Sequence, residues 1–219
     1  MRVTKFSHSC VRIDGDGSVL VVDPGTLSER AALDGVDAVL ITHEHSDHLD
    51  VDALADVLAK RPSVAVWTHP DVLPKLAALD GVVSTVESGE AFQAAGLDIR
   101  AYGGLHAEIH RDIPRVANLG YLISDGDTSV YHPGDSFDVP EGAVVDTLFV
   151  PVSGPWLKAS ESVDFIRAVK PRRAYALHDG LLNDAGGRLV DGVLGRLAGT
   201  EYGHLAPGTS IGSGSIGSH

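Results

Sequence analysis

Four side chains that commonly bind metals crowd into six residues, directly after an apolar run. Residues 37–42, DAVLIT, are almost entirely apolar, which predicts a strand buried on both faces. The polar segment THEHSDHLD at 42–50 then follows at the C-terminal end of that strand. Its imidazole and carboxylate groups are typical metal ligands in proteins. They belong to His43, His45, Asp47 and His48.

The spacing of these four residues favours an extended segment over a helix. In extended chain His43 and His45 point to the same side, whereas Asp47 and His48 lie beyond, where the chain turns. On a continuous helix the four side chains would spread over roughly 200°, at about 100° per residue. A polar loop that contains three histidines by chance is the alternative. The crowding of ligand types favours a site for two adjacent metal ions.

The order of predicted elements alternates between β-rich and βα segments. The turn DGDG at 14–17 joins two β-branched runs, which predicts an antiparallel start. A helix is expected from Val51 with Asp50 as its cap, and Ser160 is expected to cap a later helix. This order predicts an α+β fold with two sheets and outer helices, a four-layer αββα sandwich, although other α+β folds would give the same order.

The length of the chain predicts one domain. A chain of 219 residues can bury one substantial core, so we expect residues 1–206 to form a single domain. Residues 207–219 are rich in glycine and serine and poor in large apolar groups. We therefore expect this stretch to be a flexible tail or a remnant of an expression vector.

Composition excludes several classes of function. The net charge of −13 and the lack of a Lys/Arg-rich run disfavour nucleic acid as a partner. The single cysteine, Cys10, rules out an internal disulfide and fits a reducing compartment. No stretch approaches the ~20 apolar residues of a membrane span, and the first residues lack the apolar core of a secretory signal. We expect a cytoplasmic protein that acts on a small molecule, away from membranes.

The complete HxHxDH motif at His43, His45, Asp47 and His48 resembles that of the metallo-β-lactamase superfamily. The resemblance extends from residue 1 to about 205. FSHSCVRIDG, VVDPG and YHPGDS look most like the branch that contains L-ascorbate-6-phosphate lactonase. The resemblance implies the αββα sandwich and a metal-dependent hydrolase, and it leaves assembly into homo-oligomers open.

The resemblance also implies three further ligands, each after a later strand. His106 matches the third histidine, with His110 as its competitor; a residue at a strand end is held more firmly than one deeper in a loop. Asp135 in YHPGDS matches a bridging carboxylate, and His178 in YALHDG matches the last histidine. The implied arrangement has two sites with Asp135 between them. They are His43, His45 and His106 for one ion, and Asp47, His48 and His178 for the other.

The donor set indicates which metals fit. Nitrogen and oxygen donors without a thiolate suit Zn²⁺ first and also Mn²⁺ or Fe²⁺. Cys10 is not required as a ligand.

Several nearby residues have two interpretations each. His8 lies near the metals or is a structural histidine bonded to backbone. His69 in WTHPD approaches the pocket or caps the following helix. His110, Arg111 and Arg115 belong to a loop expected to border the pocket. There an arginine holds an anionic group of the substrate or is an ordinary surface residue.

The implied chemistry is hydrolysis by solvent. Two ions about 3.5 to 4 Å apart lower the pKa of a shared water and make a hydroxide that attacks a small ester, lactone or phosphodiester. Asp47 is expected to orient this hydroxide and to accept its proton, which makes it the catalytic residue. An iron-dependent oxidoreductase on the same scaffold is one alternative. A metal-binding module without catalysis is another.

Overall fold

Two β-sheets pack face to face, and helices cover their outer surfaces. The computed structural model describes residues 1–79 and 83–212. Each sheet has seven strands in this part of the chain. In each sheet one half is antiparallel and the other half is parallel.

The first sheet has the order β14-β1-β2-β3-β4-β5-β6. Its strands are β1 (Arg2–Lys5), β2 (Val11–Gly15), β3 (Ser18–Val22), β4 (Ala38–Leu40), β5 (Ala65–Thr68), β6 (Val83–Thr85) and β14 (Thr209–Gly212). Strands β2 and β3 form the hairpin predicted around the turn at 14–17. From β3 to β6 the neighbours are parallel, which requires crossover connections such as the helix between β4 and β5.

The second sheet has the order β13-β12-β11-β10-β9-β8-β7. Its strands are β7 (Ala91–Ala94), β8 (Leu97–Leu105), β9 (Ala117–Ser124), β10 (Ser129–His132), β11 (Thr147–Pro151), β12 (Arg173–Leu177) and β13 (Glu201–Gly203). Strands β7 to β10 are antiparallel neighbours, whereas β10 to β13 are parallel.

Three α-helices and two short 3-10 segments complete the described chain. They are α1 (Val51–Lys60), α2 (Ala159–Val169) and α3 (Asp184–Leu197), with 3-10 segments at Arg30–Leu33 and Pro70–Leu76. The predicted cap of α1 is confirmed, because the Asp50 side chain accepts from the Ala53 N–H. The predicted Ser160 cap is wrong. Helix α2 begins at Ala159 with Lys158 as its N-cap residue, and the Glu161 carboxylate accepts from the Lys158 N–H. In the described residues, none of these helices has the length and apolar character needed to cross a membrane.

Three apolar clusters separate the four layers. The central cluster lies between the sheets and includes Leu40 of β4 and Phe149 of β11. An outer cluster packs α1 on the first sheet through Leu54. The other outer cluster packs α2 and α3 on the second sheet, with Ile166 and Leu194 among its members. Burial of these faces supplies the main driving force for folding. The predicted αββα sandwich is confirmed.

Part of the expected C-terminal tail belongs to the fold. The sequence predicted a flexible stretch at 207–219, but Thr209–Gly212 form β14, which pairs antiparallel with β1. Ile211 packs against the central apolar cluster, and the Arg173 guanidinium donates to the Gly212 carbonyl at 2.7 Å. Strand pairing uses backbone groups, so small side chains do not prevent it. The pairing of β14 also covers the edge of β1 that β2 leaves free. Residues 213–219 lie outside the described part of the chain.

The ends of co-directional strands converge on one edge of the sandwich. In the first sheet β1, β3 and β4 run in the same direction, and in the second sheet β8, β10 and β12 do so. His8 follows β1, and the motif at 43–48 follows β4. His106, Asp135 and His178 follow β8, β10 and β12. The topology therefore brings distant parts of the sequence to a single site.

Candidate metal centre

The first group of possible ligands consists of His43, His45, His106 and Asp135. Its ligand atoms lie within 4.8 Å of one another. His43 Nε2 is 3.0 Å from His45 Nδ1 and 3.9 Å from Asp135 Oδ2, and His106 Nε2 is 3.3 Å from Asp135 Oδ2. The structure thus brings together the three histidines that the sequence assigned to one ion.

The second group consists of Asp47, His48, His178 and His8. Asp47 Oδ2 lies 3.4 Å from His178 Nε2 and 3.9 Å from His48 Nε2. It also lies 3.0 Å from His8 Nε2. Three of these residues are the predicted ligands of the other ion, and His8 is an addition.

Asp135 lies between the two groups. Its Oδ1 atom is 3.1 Å from His48 Nε2, and its Oδ2 atom is 3.1 Å from His178 Nε2 and 3.3 Å from His106 Nε2. One carboxylate therefore contacts histidines of both groups, which is the position expected of a bridging ligand.

The residues present fit a pair of metal ions. With Zn–N bonds of about 2.0–2.1 Å, the donors around a tetrahedral zinc lie about 3.3 Å apart, close to the spacings found here. In the described chain, the buried side-chain polar atoms without a hydrogen-bond partner are Asp135 Oδ1 and both ring nitrogens of His178. Buried polar atoms are normally satisfied, so these three indicate a missing partner in this centre. Nitrogen and carboxylate donors without sulfur suit such an ion.

Asp23 orients two of the histidines. His48 Nδ1–H donates to Asp23 Oδ2 at 2.7 Å. His43 Nδ1–H donates to Thr42 Oγ1 at 2.9 Å, and that hydroxyl donates to Asp23 Oδ2 at 2.7 Å. These bonds leave both Nε2 atoms unprotonated when a metal is bound and aim them at the centre. The sequence analysis missed this role. The available signal was a carboxylate directly after an apolar strand in VVDPG.

Backbone contacts hold the ligands that come from the second sheet. His106 Nδ1–H donates to the Ala107 carbonyl at 2.6 Å, which turns Nε2 toward Asp135. The Asp135 N–H donates to Asn118 Oδ1 at 2.9 Å. Gly134 has φ +62°, and a Cβ there would lie 2.3 Å from Asn118 Oδ1. Only glycine allows this close approach, so Gly134 sets the position of the Asp135 carboxylate.

The carboxylates of the centre are ionised. Burial alone would raise the pKa of Asp135, but the charge of His48 and the contact with His106 lower it well below its ordinary value. Burial likewise opposes ionisation of Asp47, yet the contacts with His178 and His8 lower its pKa far below the usual range. Both side chains are therefore anionic at neutral pH and available as ligands.

Two histidines of the centre have raised affinities for protons. Burial lowers the pKa of His48, but the charges of Asp135 and Asp23 outweigh it and raise this pKa well above its ordinary value. The pKa of His178 is also raised, because its contacts with Asp135 and Asp47 outweigh burial. Both shifts favour the protonated imidazole, so a metal ion that binds at Nε2 of either ring has to displace a proton.

Both interpretations of His8 have support. Its ring lies in the second group, and Nδ1 also accepts from the Gly180 backbone N–H at 3.2 Å. Burial lowers the pKa of His8, so the ring is neutral. His8 and His178 have φ values of +59° and +58°, which non-glycine residues rarely adopt. Such strain is concentrated at functional sites.

The predicted substrate-contacting residues lie outside both ligand groups. His110 is 57% exposed at its side chain, and its Nδ1 accepts from the Asp112 N–H. Arg111 is 84% exposed and its nearest carboxylate is its neighbour Asp112. His69 Nδ1 accepts from the Asp71 N–H and caps the 3-10 segment, which is the second of its two interpretations. The structure therefore places His106, and not His110, beside Asp135.

A small cleft lies next to the first group. It has a volume of about 30 Å³, and its walls include His45, His106, Ile109 and Ile113. Arg115 also lines it, but its guanidinium donates to the His106 and Leu105 carbonyls. The cleft is thus mainly apolar, with an arginine that braces the loop.

Trp156 was missed by the sequence analysis. Its ring lies edge-on to His106 and His178, with centroid distances of 5.6 and 5.8 Å, and Phe137 packs against it. The side chain therefore contacts one histidine from each group and walls the centre. It lies in an irregular loop after β11, where no periodic pattern indicated a role.

Cys10 takes no part in the centre. The side chain is fully buried in the outer apolar cluster beneath α1. Burial raises the pKa of its thiol to about 12, so it stays protonated.

The two facing sheets and the histidine–aspartate centre at their edge define a metallo-β-lactamase fold. Residues 2–178 match the family described as "Beta-lactamase superfamily domain". The chain belongs to this superfamily.

Relatives agree with this assignment. The chain is 37% identical to protein Rv0786c of Mycobacterium tuberculosis over 92% of this chain and 95% of that protein. It is 27% identical to the UPF0173 metal-dependent hydrolase MK1542 of Methanopyrus kandleri, over 82% of this chain and 84% of the relative. The solved structure of Igni18, a metallo hydrolase from Ignicoccus hospitalis, covers 96% of this chain and 97% of its own, with a TM-score of 0.72 at 20% identity. That likeness concerns the fold.

Proposed function

We propose that this protein is a hydrolase with a pair of divalent metal ions, acting on a small ester, lactone or phosphodiester. One observation carries the proposal: Asp135 lies within 3.3 Å of histidines from two separate groups, and its Oδ1 is buried without a hydrogen bond. The names of relatives such as the metal-dependent hydrolase of Methanopyrus kandleri support the same reaction class.

The residues that would hold the metals follow from the geometry. His43, His45 and His106 would hold one ion, with Asp135 shared. Asp47, His48 and His178 would hold the other. When bound, such a pair supplies a nucleophilic hydroxide near neutral pH and polarises the oxygen of the scissile bond.

Asp47 is the residue that would position the attacking water. Its side chain is 28% exposed, whereas those of His178 and Asp135 are 2% and 3% exposed. Its lowered pKa keeps the carboxylate anionic, so it can accept a hydrogen bond from the attacking water and orient it. The other proposed ligands are buried, except for the half-buried His45, which has no carboxylate to offer to water.

Trp156 and the cleft beside His106 would shape the substrate site. The indole wall excludes water from the side of His106 and His178. Ile109 and Ile113 offer apolar contact to a group next to the scissile bond. Arg115 borders the same cleft and braces its loop by donating to backbone carbonyls.

Zinc is the metal we propose first, and manganese or iron fits the same donors. The experiment is a hydrolysis screen of p-nitrophenyl esters, bis(p-nitrophenyl) phosphate and lactones. It uses metal-stripped protein reloaded separately with zinc, manganese and iron. The resemblance to the lactonase branch makes lactones the first substrates to measure. We expect activity that needs added metal and that Asp135→Asn abolishes.

Two other outcomes would redirect the proposal. Turnover that requires iron and consumes oxygen would indicate an oxidoreductase, since a donor set without thiolate also accepts iron. Metal binding without turnover of any substrate class, and without an effect of Asp47→Ala, would indicate a binding module.

A further inference from the structure

His8 occupies an unusual position beside the second ligand group. The side chain is fully buried, and its ring centroid lies 3.9 Å from that of His178. The His8 carbonyl accepts from the His178 N–H at 3.1 Å. Backbone and ring together thus tie the loop after β1 to the loop after β12.

The hydrogen bonds of the His8 ring assign its proton. The backbone N–H of Gly180 can only donate, so His8 Nδ1 must offer a lone pair to it. The proton of a neutral ring then lies on Nε2, where it meets Asp47 Oδ2 at 3.0 Å. A protonated Nε2 has no lone pair for a metal ion.

The close approach of Gly180 supports this arrangement. A Cβ on Gly180 would lie 3.1 Å from both Cβ and Nδ1 of His8. The backbone of the loop after β12 therefore fits directly against the ring edge, and a larger residue would push it away.

We propose that His8 is a positioning residue, whose Nε2–H holds the Asp47 carboxylate in the metal centre while His8 itself binds no metal. The inference rests on the proposed dinuclear centre and adds a residue to it. It reduces the second ligand group to Asp47, His48 and His178, with Asp135 as the shared carboxylate.

The hydrogen bond also selects between the two oxygens of Asp47. Oδ2 is the atom that faces His8, His178 and His48. An N–H that holds Oδ2 limits rotation of the carboxylate and so fixes the direction of its other lone pairs. Loss of this donor should loosen one ion and misdirect the water that Asp47 holds.

Two substitutions separate positioning from ligation. His8→Asn suits the positive φ, and its Oδ1 can still accept from Gly180, but it has no donor that reaches Asp47. His8→Gln can place its amide N–H near the position of Nε2 and should restore the contact. His110→Asn is the matched control, because its Nδ1 also accepts from a backbone N–H but it lies outside both ligand groups.

The measurements are zinc content per chain, the affinity of the weaker ion by chelator competition, the cobalt absorption spectrum and the kcat and KM of any active substrate. For His8→Asn we expect both ions to bind, with the weaker one bound about 10-fold less tightly. We expect kcat to fall with little change in KM, and the cobalt bands to stay at their wavelengths. His8→Gln should recover most of the affinity, and His110→Asn should match the wild type in zinc content and zinc affinity.

Nitrogen-15 NMR of the imidazole rings gives a direct reading. The proposal requires His8 to keep a protonated Nε2 and an unprotonated Nδ1 before and after zinc is added. A zinc-induced shift of its Nε2 to a metal-bound value, with loss of one ion in both His8 variants, would show ligation and overturn the proposal. So would an unchanged zinc affinity in His8→Asn. A wild type that binds two ions but hydrolyses nothing contradicts only the proposed function.

Discussion

Replacing Asp23 with asparagine tests how far a residue outside the ligand set controls the centre. The Asp23 carboxylate is fully buried and accepts three hydrogen bonds. The Thr42 N–H donates to Oδ1 at 2.8 Å, and the Thr42 hydroxyl and His48 Nδ1–H donate to Oδ2 at 2.7 Å each. Asparagine keeps one oxygen for the backbone N–H, but it places an NH₂ group where Oδ2 now accepts. The Thr42 hydroxyl can rotate to accept, whereas His48 cannot donate to an amide NH₂.

The expected loss of zinc affinity follows from the position of the proton on the His48 ring. To accept from the new NH₂ group, His48 must move its proton to Nε2, which faces Asp135 Oδ1 at 3.1 Å. That proton then blocks a metal ion. Loss of such a supporting hydrogen bond lowers metal affinity about 10- to 100-fold, or about 1.4 to 2.8 kcal/mol. We expect this loss for the ion held by His48, because the Thr42 hydroxyl has two lone pairs and can still accept from His43 Nδ1–H.

The assay is zinc affinity by chelator competition, with thermal unfolding of the metal-stripped protein beside it. Asp37→Asn is the matched control. The Asp37 carboxylate also accepts a hydrogen bond from a backbone N–H, that of Val19, and a second one from the Arg61 guanidinium. It lies away from the ligand groups, so zinc affinity should not change. Equal zinc affinity for Asp23→Asn and the wild type would refute this account of how His48 is oriented.

Three further predictions use other parts of the centre. Trp156→Ala should raise KM and lower kcat several-fold, because the indole ring lies against a histidine of each ligand group. Trp156→Phe keeps an aromatic ring and should keep most of the activity. Both are measured on the best substrate of the screen. Zinc binding should release protons from His48 and His178, because the pKa values of both imidazoles are raised. The zinc affinity should therefore weaken as the pH falls through those pKa values. Calorimetry in buffers of different ionisation enthalpy counts the released protons. Equal heats in all buffers would contradict it. Gly134→Ala should lower zinc affinity and the free energy of unfolding by about 1 kcal/mol or more, since a Cβ would clash with Asn118; unchanged zinc binding and denaturant midpoint would count against that role.

The sequence predicted the layers of the fold and the strand before the motif because period and apolar content are local properties. The same reasoning failed where tertiary contacts decide. Ser160 has the chemistry of a helix cap, but Glu161 satisfies the first turn instead. Residues 209–212 have little apolar content, yet their backbone pairs with β1. Neither outcome can be derived from a short window of sequence.

The residues of the candidate site also fall into those that the sequence predicted and those that it missed. The motif at 43–48 was visible because its ligands are close in sequence, and the resemblance pointed to Asp135 and His178. Asp23 and Trp156 were missed because their roles arise only when separate loops meet. The interpretation of His69 as a cap is the one its hydrogen bond supports, while the substrate contacts expected of the loop at 106–118 stay predictions.

The pairing of β14 with β1 has a practical result for handling the protein. Arg2 lies opposite Gly212, and from Arg2 strand β1 runs toward the loop that carries His8. The start of β1 and the end of β14 therefore lie together on the side of the sandwich remote from the ligands. A chain relinked from residue 212 to residue 2 and reopened at the exposed turn at 141–142 should still assemble the centre. Attachment of the protein to a surface through this side would leave the catalytic edge open to substrate.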